Sequence, residues 1–99
     1  MTTMKALRFE AYGPPSVLSL RELSIPDLES GQALVEVCAS AVNPSDVKNV
    51  AGLFKASLPR VPGRDYAGVV AAGAGWKGKE VWGSGAGFGV TRDGADAQY

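Results

Sequence analysis

Glycine and proline interrupt this sequence at short intervals and limit the length of any regular element. Thirteen glycines and six prolines are spread along 99 residues and are not gathered in one segment. Because both residues mark turns, the spacing predicts short strands joined by turns, and hence a mainly β fold with one or two short helices. A chain of this length forms one domain, which we expect to comprise residues 1–99.

Apolar patterning predicts five strands, which are residues 4–11, 17–23, 32–42, 66–72 and 79–82. In the first strand, period-two alternation places Leu7, Phe9 and Ala11 on the buried face. The fourth strand is a nearly continuous apolar run, so we expect it to be buried on both faces. Residues 92–94 carry a hairpin turn signal, and residues 97–99 resemble the start of another strand.

A short helix is predicted after the third strand, over residues 43–52. Asn43 suits the N-cap, Pro44 the first helical position, and Asp46 the third, where an acid favours the positive end of the helix dipole. Gly52 suits the C-terminal stop. A helix this short depends on tertiary packing.

Residues 73–78, Gly-Ala-Gly-Trp-Lys-Gly, match the dinucleotide-binding fingerprint and, with Lys79, nearly match a phosphate-binding loop. The dinucleotide motif requires a helix directly after the glycines, where the helix N-terminus meets the pyrophosphate. The phosphate-binding loop requires Ser or Thr after its lysine, and this chain has Glu80 there, a negative charge where phosphates would lie. The following residues run straight into another apolar segment and a second glycine-rich stretch. We therefore interpret residues 73–78 as a turn between strands.

Composition excludes several functions. Ten basic and ten acidic residues balance, which argues against nucleic acid or an anionic membrane as a partner. There is no histidine, so histidine triads are excluded, and with one cysteine no zinc site of the usual ligands can form within the chain. We see no signal peptide and no apolar run approaching the roughly 20 residues of a membrane span. A single cysteine, Cys38, in an apolar run fits a reducing cytoplasm.

Polar residues gather where strands meet the helix and the following loop, and such junctions often form sites. They are Asn43, Asp46, Lys48, Arg64 and Asp65. Structural roles remain open for each of them. Asn43 and Asp46 could only cap the helix, Lys48 could be a solvated side chain, and Arg64 with Asp65 could be an ion pair.

Two segments, AVNPSDVKNVAG at 41–52 and VPGRDYAGVV at 61–70, follow a strand QALVEVCASAV at 32–42. Together they resemble the N-terminal catalytic domain of medium-chain dehydrogenases/reductases, in the quinone oxidoreductase branch. The resemblance implies a GroES-like fold, a partly open β-barrel. It also implies a separate Rossmann domain that binds NADPH or NADH and is absent from this chain.

The resemblance further implies a zinc-independent enzyme. Where zinc-dependent members carry a cysteine and a histidine ligand, this chain has Asn43 and Arg64, and Asp65 follows in place of the family's next acid. In the zinc-free relatives, hydride passes from the nicotinamide to a quinone or an activated C=C bond.

The resemblance places Asn43, Asp46 and Arg64 on the cofactor side of the cleft. Asp46 and Lys48 are its catalytic candidates. Lys48 stands where quinone oxidoreductases commonly have tyrosine, and it could donate a hydrogen bond to a developing oxyanion, although an ammonium of ordinary pKa is a poor proton donor at neutral pH.

Two alternatives stay open: an enoyl or acryloyl thioester reductase domain, and a stand-alone GroES-like binding module that uses the loop at 52–62. On the enzyme interpretation, we expect the chain alone neither to bind the cofactor tightly nor to turn over. We also expect its cleft-facing side to expose apolar surface and to promote self-association.

Overall fold

Strands dominate the computed structural model, which describes residues 3–99. The strands and the helix are β1 (Thr3–Arg8), β2 (Ser19–Ser24), β3 (Ala33–Ala39), α1 (Pro44–Val50), β4 (Asp65–Gly73) and β5 (Glu80–Ser84). A single 3-10 turn at Pro15–Val17 precedes β2. The mainly β fold with short helical elements is confirmed. No helix within residues 3–99 is long and apolar enough to cross a membrane.

Two antiparallel sheets form an incompletely closed barrel. β1 pairs with β2, and the second sheet has the order β3-β4-β5. Residues 96–98 connect the sheets, because the Leu7 N–H donates to the Asp96 carbonyl over 2.9 Å and the Val37 N–H donates to the Gln98 carbonyl over 2.9 Å. The strand-like C-terminal segment expected at 97–99 therefore bridges the sheets, and the partly open GroES-like barrel is confirmed.

The predicted buried face of β1 is wrong in part. Met4 and Ala6 are buried, whereas Leu7 and Ala11 are exposed. Phe9 is buried as predicted, but it lies beyond the end of β1 and forms an isolated bridge with Arg60. The period of two breaks where the strand ends, so one alternating pattern could not describe all of residues 4–11.

Two further predictions about the second half of the chain are wrong. Within residues 66–72 only Gly68 and Val70 are buried and the others are half-buried, with Tyr66 and Ala67 lining an open groove. The segment 92–94 does not turn a hairpin between paired strands. Instead, the Gly94 N–H donates to the Val61 carbonyl over 2.8 Å, so this segment lies along residues 61–63.

The glycine-rich fingerprint lies in a β-hairpin. β4 and β5 are antiparallel, and residues 74–79 form the turn that joins them. No helix follows these glycines, and the helix dipole that both phosphate-binding motifs require is missing there. The prediction of a turn between strands is confirmed.

Candidate functional site

Helix α1 begins at Pro44 with Asn43 as its N-cap residue, as predicted. Asn43 has an extended backbone, Pro44 opens the helix, and the Asn43 N–H donates to Asp46 Oδ2 over 2.9 Å. This hydrogen bond holds the Asp46 side chain inward, and Asp46 is only 6% exposed. Capping thus explains why a carboxylate is buried beside the end of β3.

The C-terminus of α1 closes in a Schellman motif around Gly52. The Leu53 N–H donates to the Lys48 carbonyl and the Gly52 N–H to the Asn49 carbonyl, both over 3.0 Å. Gly52 has a φ of +99°, a left-handed conformation that glycine adopts without steric cost. The predicted helix stop at this residue is confirmed.

Asp65 is the point at which β3, α1 and β4 meet. Its carboxylate accepts hydrogen bonds from the Ala41 N–H at 2.7 Å and from Asn43 Nδ2 at 3.0 Å. The Ser40 hydroxyl donates to the Asp65 carbonyl at 2.7 Å. The bonds from Asn43 and Ala41 lower the pKa of Asp65, since they stabilise the charged form. The site therefore contains a fixed carboxylate anion.

A third carboxyl group, that of Asp96, was not predicted from the sequence. Burial raises its pKa, the charges of Asp46 and Asp65 raise it further, and a hydrogen bond with Ser40 opposes them. The three aspartates thus lie close enough to interact electrostatically although they come from three parts of the chain. The DGADAQY stretch contains no motif that would have pointed to this residue.

Backbone geometry fixes the position of Asp96. Its N–H donates to the Pro62 carbonyl over 3.0 Å. Gly63 has a φ of +104°, and a Cβ added there would lie 2.8 Å from Asp96 Oδ1. Only glycine lets the carboxyl group approach this closely, so Gly63 helps to shape the site.

Two buried acceptor oxygens on α1 lack a donor among the described residues. Within residues 3–99, Asp46 Oδ1 has no hydrogen-bond partner although it is buried. The same holds for Asn49 Oδ1, whose Nδ2 donates to the Gly89 carbonyl over 2.7 Å. Both residues are on α1, three positions apart and hence on one face of the helix. The inward face of α1 is therefore unusually polar.

The other two sequence candidates point elsewhere. Lys48 is exposed and lies two positions after Asp46, a spacing that does not share a helix face. The Arg64 guanidinium stacks over the Phe54 ring, 5.7 Å from its centroid. It forms no salt bridge with Asp65 in the part of the chain that the structure describes, so the ion-pair alternative is wrong. The structure joins Asn43, Asp46 and Asp65, and leaves Lys48 and Arg64 outside their hydrogen-bond network.

An open groove of about 380 Å³ adjoins this network. Ser40 and Asp65 line one part of it, and Trp82, which is 85% exposed, lines another. A larger hollow of about 490 Å³ lies between β3, β4 and residues 88–95, and none of the predicted site residues lines it. The groove is therefore the cavity that the candidate site offers to a ligand.

Metal ligands are poorly represented at this site. Within residues 3–99, no three His, Cys, Asp or Glu side chains are grouped so as to hold a metal ion. The one cysteine, Cys38, is exposed. The Asn43 side chain donates to Asp65, and the Arg64 guanidinium lies over the Phe54 ring.

The chain is similar to a known domain family and to several oxidoreductases. Residues 29–97 match the model of the alcohol dehydrogenase GroES-like domain. A zinc-type alcohol dehydrogenase-like protein of Schizosaccharomyces pombe is 42% identical over 101 residues, covering 97% of this chain and 31% of that protein. The 2-methylene-furan-3-one reductase of Solanum lycopersicum is 45% identical over 71 residues, covering 68% of this chain and 18% of that protein.

A solved structure agrees over nearly the whole chain. The quinone oxidoreductase from Coxiella burnetii superposes with a TM-score of 0.83 at 30% identity, covering 97% of this chain and 33% of that one. The chain thus spans about a third or less of the length of the proteins it matches.

Proposed function

Because this chain belongs to the alcohol dehydrogenase GroES-like domain family of medium-chain oxidoreductases, we propose that it is the substrate-side domain of an NAD(P)H-dependent reductase. The acceptor is a quinone or an activated C=C bond. The observation that carries the proposal is the hydrogen-bonded junction of Asn43, Asp46 and Asp65 beside an open groove, in a chain similar to proteins named as reductases of these two kinds.

The groove supports this proposal, since a planar ring needs a flat, open surface next to polar groups. A nicotinamide cofactor supplies the hydride in such reductases. Asn43, Asp46 and Arg64 are the residues we propose for its binding, with Asp46 acting through the Asn43 backbone, which it holds by a hydrogen bond of 2.9 Å. Lys48, on the exposed side of α1, and Asp46 stay the proposed catalytic groups.

We propose that the reaction needs no zinc. Asn43 and Arg64 replace the family's cysteine and histidine ligands, and an amide and a guanidinium are not zinc ligands of the usual kind. The Schizosaccharomyces pombe relative is named as zinc-type, and this name refers to that protein and not to the present chain. The cytoplasmic location predicted from cysteine content stays a prediction.

A cofactor-binding domain in the same polypeptide completes the proposed enzyme. The matched proteins are about three times as long as this chain or longer. Val42, which precedes Asn43, is 86% exposed, and Trp82 lines the groove and is 85% exposed, so each presents apolar surface that a second domain can cover. On this proposal, residues 1–99 alone bind NADPH or NADH weakly.

Reduction of an activated C=C bond is favoured by the names of two relatives. One is the 2-methylene-furan-3-one reductase, and another is an NADPH-dependent alkenal/one oxidoreductase of Arabidopsis thaliana, 45% identical over 71 residues. A thioester acceptor carrying phosphate groups would call for basic residues, and the groove is lined by Asp65 with no lysine or arginine among its described lining residues.

The binding-module alternative depends on the loop at 52–62. Leu53 and Phe54 are exposed there, but Ala56 and Leu58 pack into the core cluster around Phe9. Much of the loop therefore has a structural role, which favours the enzyme proposal.

The test compares the 99-residue chain with the longest gene product that contains it. Both are titrated with NADPH and NADH and assayed for reduction of a quinone and of an α,β-unsaturated ketone. The proposal is supported if the longer protein binds the cofactor tightly and turns over, whereas the 99-residue chain does neither. A longer protein that is inert with both acceptors, or a gene product that ends at Tyr99, removes the reductase function and favours the binding module.

A further inference from the structure

One face of the three-stranded sheet carries the groove between Trp82 and Asp65. Ala39 is the register partner of Ala67, and Ala67 is the partner of Trp82, so the three side chains form one row on one face. Asp65 lies two residues before Ala67 and therefore points to the same face. Its own partner is Ser84. The sheet thus presents Asp65 and Trp82 on the same face, as diagonal neighbours.

The shape of this face suits a flat ring. Two alanines make a low floor, and the indole of Trp82 stands beside them on the edge strand β5 with 85% of its surface exposed. Trp82 and Asp65 are diagonal neighbours across the strand pair, a relation that separates residues by about 7–8 Å. A ring lying against the indole, at about 3.5–4 Å, is then within reach of the carboxylate.

The charge of the groove is negative at its polar end. Asp65 is held as an anion by the hydrogen bonds from Asn43 and Ala41, and it takes part in no salt bridge within residues 3–99. An exposed indole attracts cations through the negative face of its π system.

We propose that this groove binds a planar aromatic cation, with the ring against Trp82 and the positive charge facing Asp65. Such a cation has two sources: a free aromatic cation, or the pyridinium ring of an oxidised nicotinamide cofactor. The second source rests on the function proposed above, whereas the first does not. If the second source is correct, Trp82 and Asp65 bind the oxidised form of the ring more tightly than the neutral reduced form.

Two ligands of nearly equal shape test the proposal on the 99-residue chain. One is the cation 1-methylnicotinamide, and the other is neutral nicotinamide. Amide chemical shifts in β4 report binding of both by NMR titration. We expect the cation to bind at least about fivefold more tightly, as a cation–π contact of about 1 kcal/mol predicts. The preference should weaken as salt screens Asp65.

Substitution of Trp82 tests whether the cation binds in this groove. Trp82→Leu should lower affinity for the cation about fivefold and leave that for nicotinamide nearly unchanged. Trp76→Leu is the matched control, because Trp76 is an exposed tryptophan in the β4–β5 turn and should have no effect. Equal affinities for the two ligands, or a Trp82→Leu variant that binds the cation as well as the unchanged chain, would overturn the proposal.

The longer protein distinguishes the sources. If Trp82→Leu weakens binding of NADP⁺ severalfold and spares NADPH, the cofactor is the ligand. If it weakens only 1-methylnicotinamide, a free cation is the ligand. If the longer protein loses binding of 1-methylnicotinamide and Trp82→Leu leaves NADP⁺ unaffected, another part of the protein covers the groove and the proposal is wrong. Failure of the proposed reductase function gives a different result from failure of the groove proposal, because the longer protein then binds neither NADP⁺ nor NADPH.

Discussion

Asn43 Nδ2 donates a hydrogen bond to Asp65 Oδ2 over 3.0 Å, and this bond joins the start of α1 to the start of β4. The two residues are 22 positions apart in the sequence. Asn43 is also the N-cap residue of the helix, where its backbone N–H donates to Asp46 Oδ2 and its carbonyl accepts the Asp46 N–H, so the side chain serves the tertiary junction and the backbone serves the helix.

Asn43→Ala removes this bond and replaces a favourable N-cap residue type with an unfavourable one. We expect it to lower the free energy of unfolding by about 1–2 kcal/mol, measured by urea denaturation. The pKa of Asp65, followed by carboxyl NMR, should rise because the amide no longer stabilises the anion. Asn43→Asp is the matched variant: it retains a good cap but replaces the donor with a second carboxylate. If both variants match the unchanged chain in stability, the bond does not hold the junction together.

Gly63→Ala tests whether close approach of Asp96 requires glycine. The added Cβ meets both an unfavourable φ of +104° and Asp96 Oδ1 at 2.8 Å. The control is Gly75→Ala, where φ is +70° and no atom lies within 4 Å of the added Cβ. We expect Gly75→Ala to cost about 1 kcal/mol and Gly63→Ala clearly more, in thermal or urea unfolding. Equal losses at the two positions would show that the contact with Asp96 is unimportant.

The pH dependence of stability should differ at Asp96 and Asp65. Burial raises the pKa of Asp96, so its favourable contribution is complete below the unfolded-state pKa and is lost as pH rises through the folded-state pKa. Asp96→Asn should therefore stabilise the protein at neutral pH relative to the unchanged chain, and this gain should shrink in acid.

The pKa of Asp65 is lowered, so Asp65 contributes stability above its unfolded-state pKa that is lost as pH falls through the folded-state value. Asp65→Asn should thus be destabilising at neutral pH, with a smaller effect in acid. Melting curves of both variants from pH 3 to pH 7 measure these opposite trends. Parallel curves for the two variants would contradict the assigned environments.

Zinc should neither bind nor stabilise this protein. The sequence has no histidine and one cysteine, and on the proposal above Asn43 and Arg64 replace the family's zinc ligands. We expect dialysed protein to contain no stoichiometric zinc by mass spectrometry, and its melting temperature to be the same with a chelator as with added zinc. One zinc per chain, with a lower melting temperature after chelation, would assign the chain to the zinc-type branch.

Self-association should depend on the apolar surface beside the site. Val42→Ser removes the most exposed of the large apolar side chains there, and we expect it to reduce the average mass of the 99-residue chain in concentrated solution, measured by light scattering. Leu20→Ser is the control, since Leu20 is also exposed but lies on β2 in the other sheet. A chain that is strictly monomeric at high concentration contradicts the prediction.

Local signals explain why α1 could be predicted nearly to its ends. Asn43, Pro44, Asp46 and Gly52 each act within one turn of the helix, and the structure uses all four as expected. Strand patterning also located β1 to β5, although Leu7 lies on the wrong face. That error arose because β1 ends at Arg8 and the alternation was extended beyond it.

By itself, then, the sequence determined the mainly β class, the short helix that begins at Pro44, the turn at 73–78 and the absence of histidine ligands, because each depends on residue type or on neighbours a few positions away. Tertiary structure alone decided the composition of the site. It brought Asp96 beside Asp46 and Asp65, turned Arg64 towards Phe54, and placed Trp82 in one row with Ala67. Those relations depend on strand register and on the pairing of residues 96–98 with both sheets, and long-range hydrogen bonds of this kind leave no periodic pattern in the sequence.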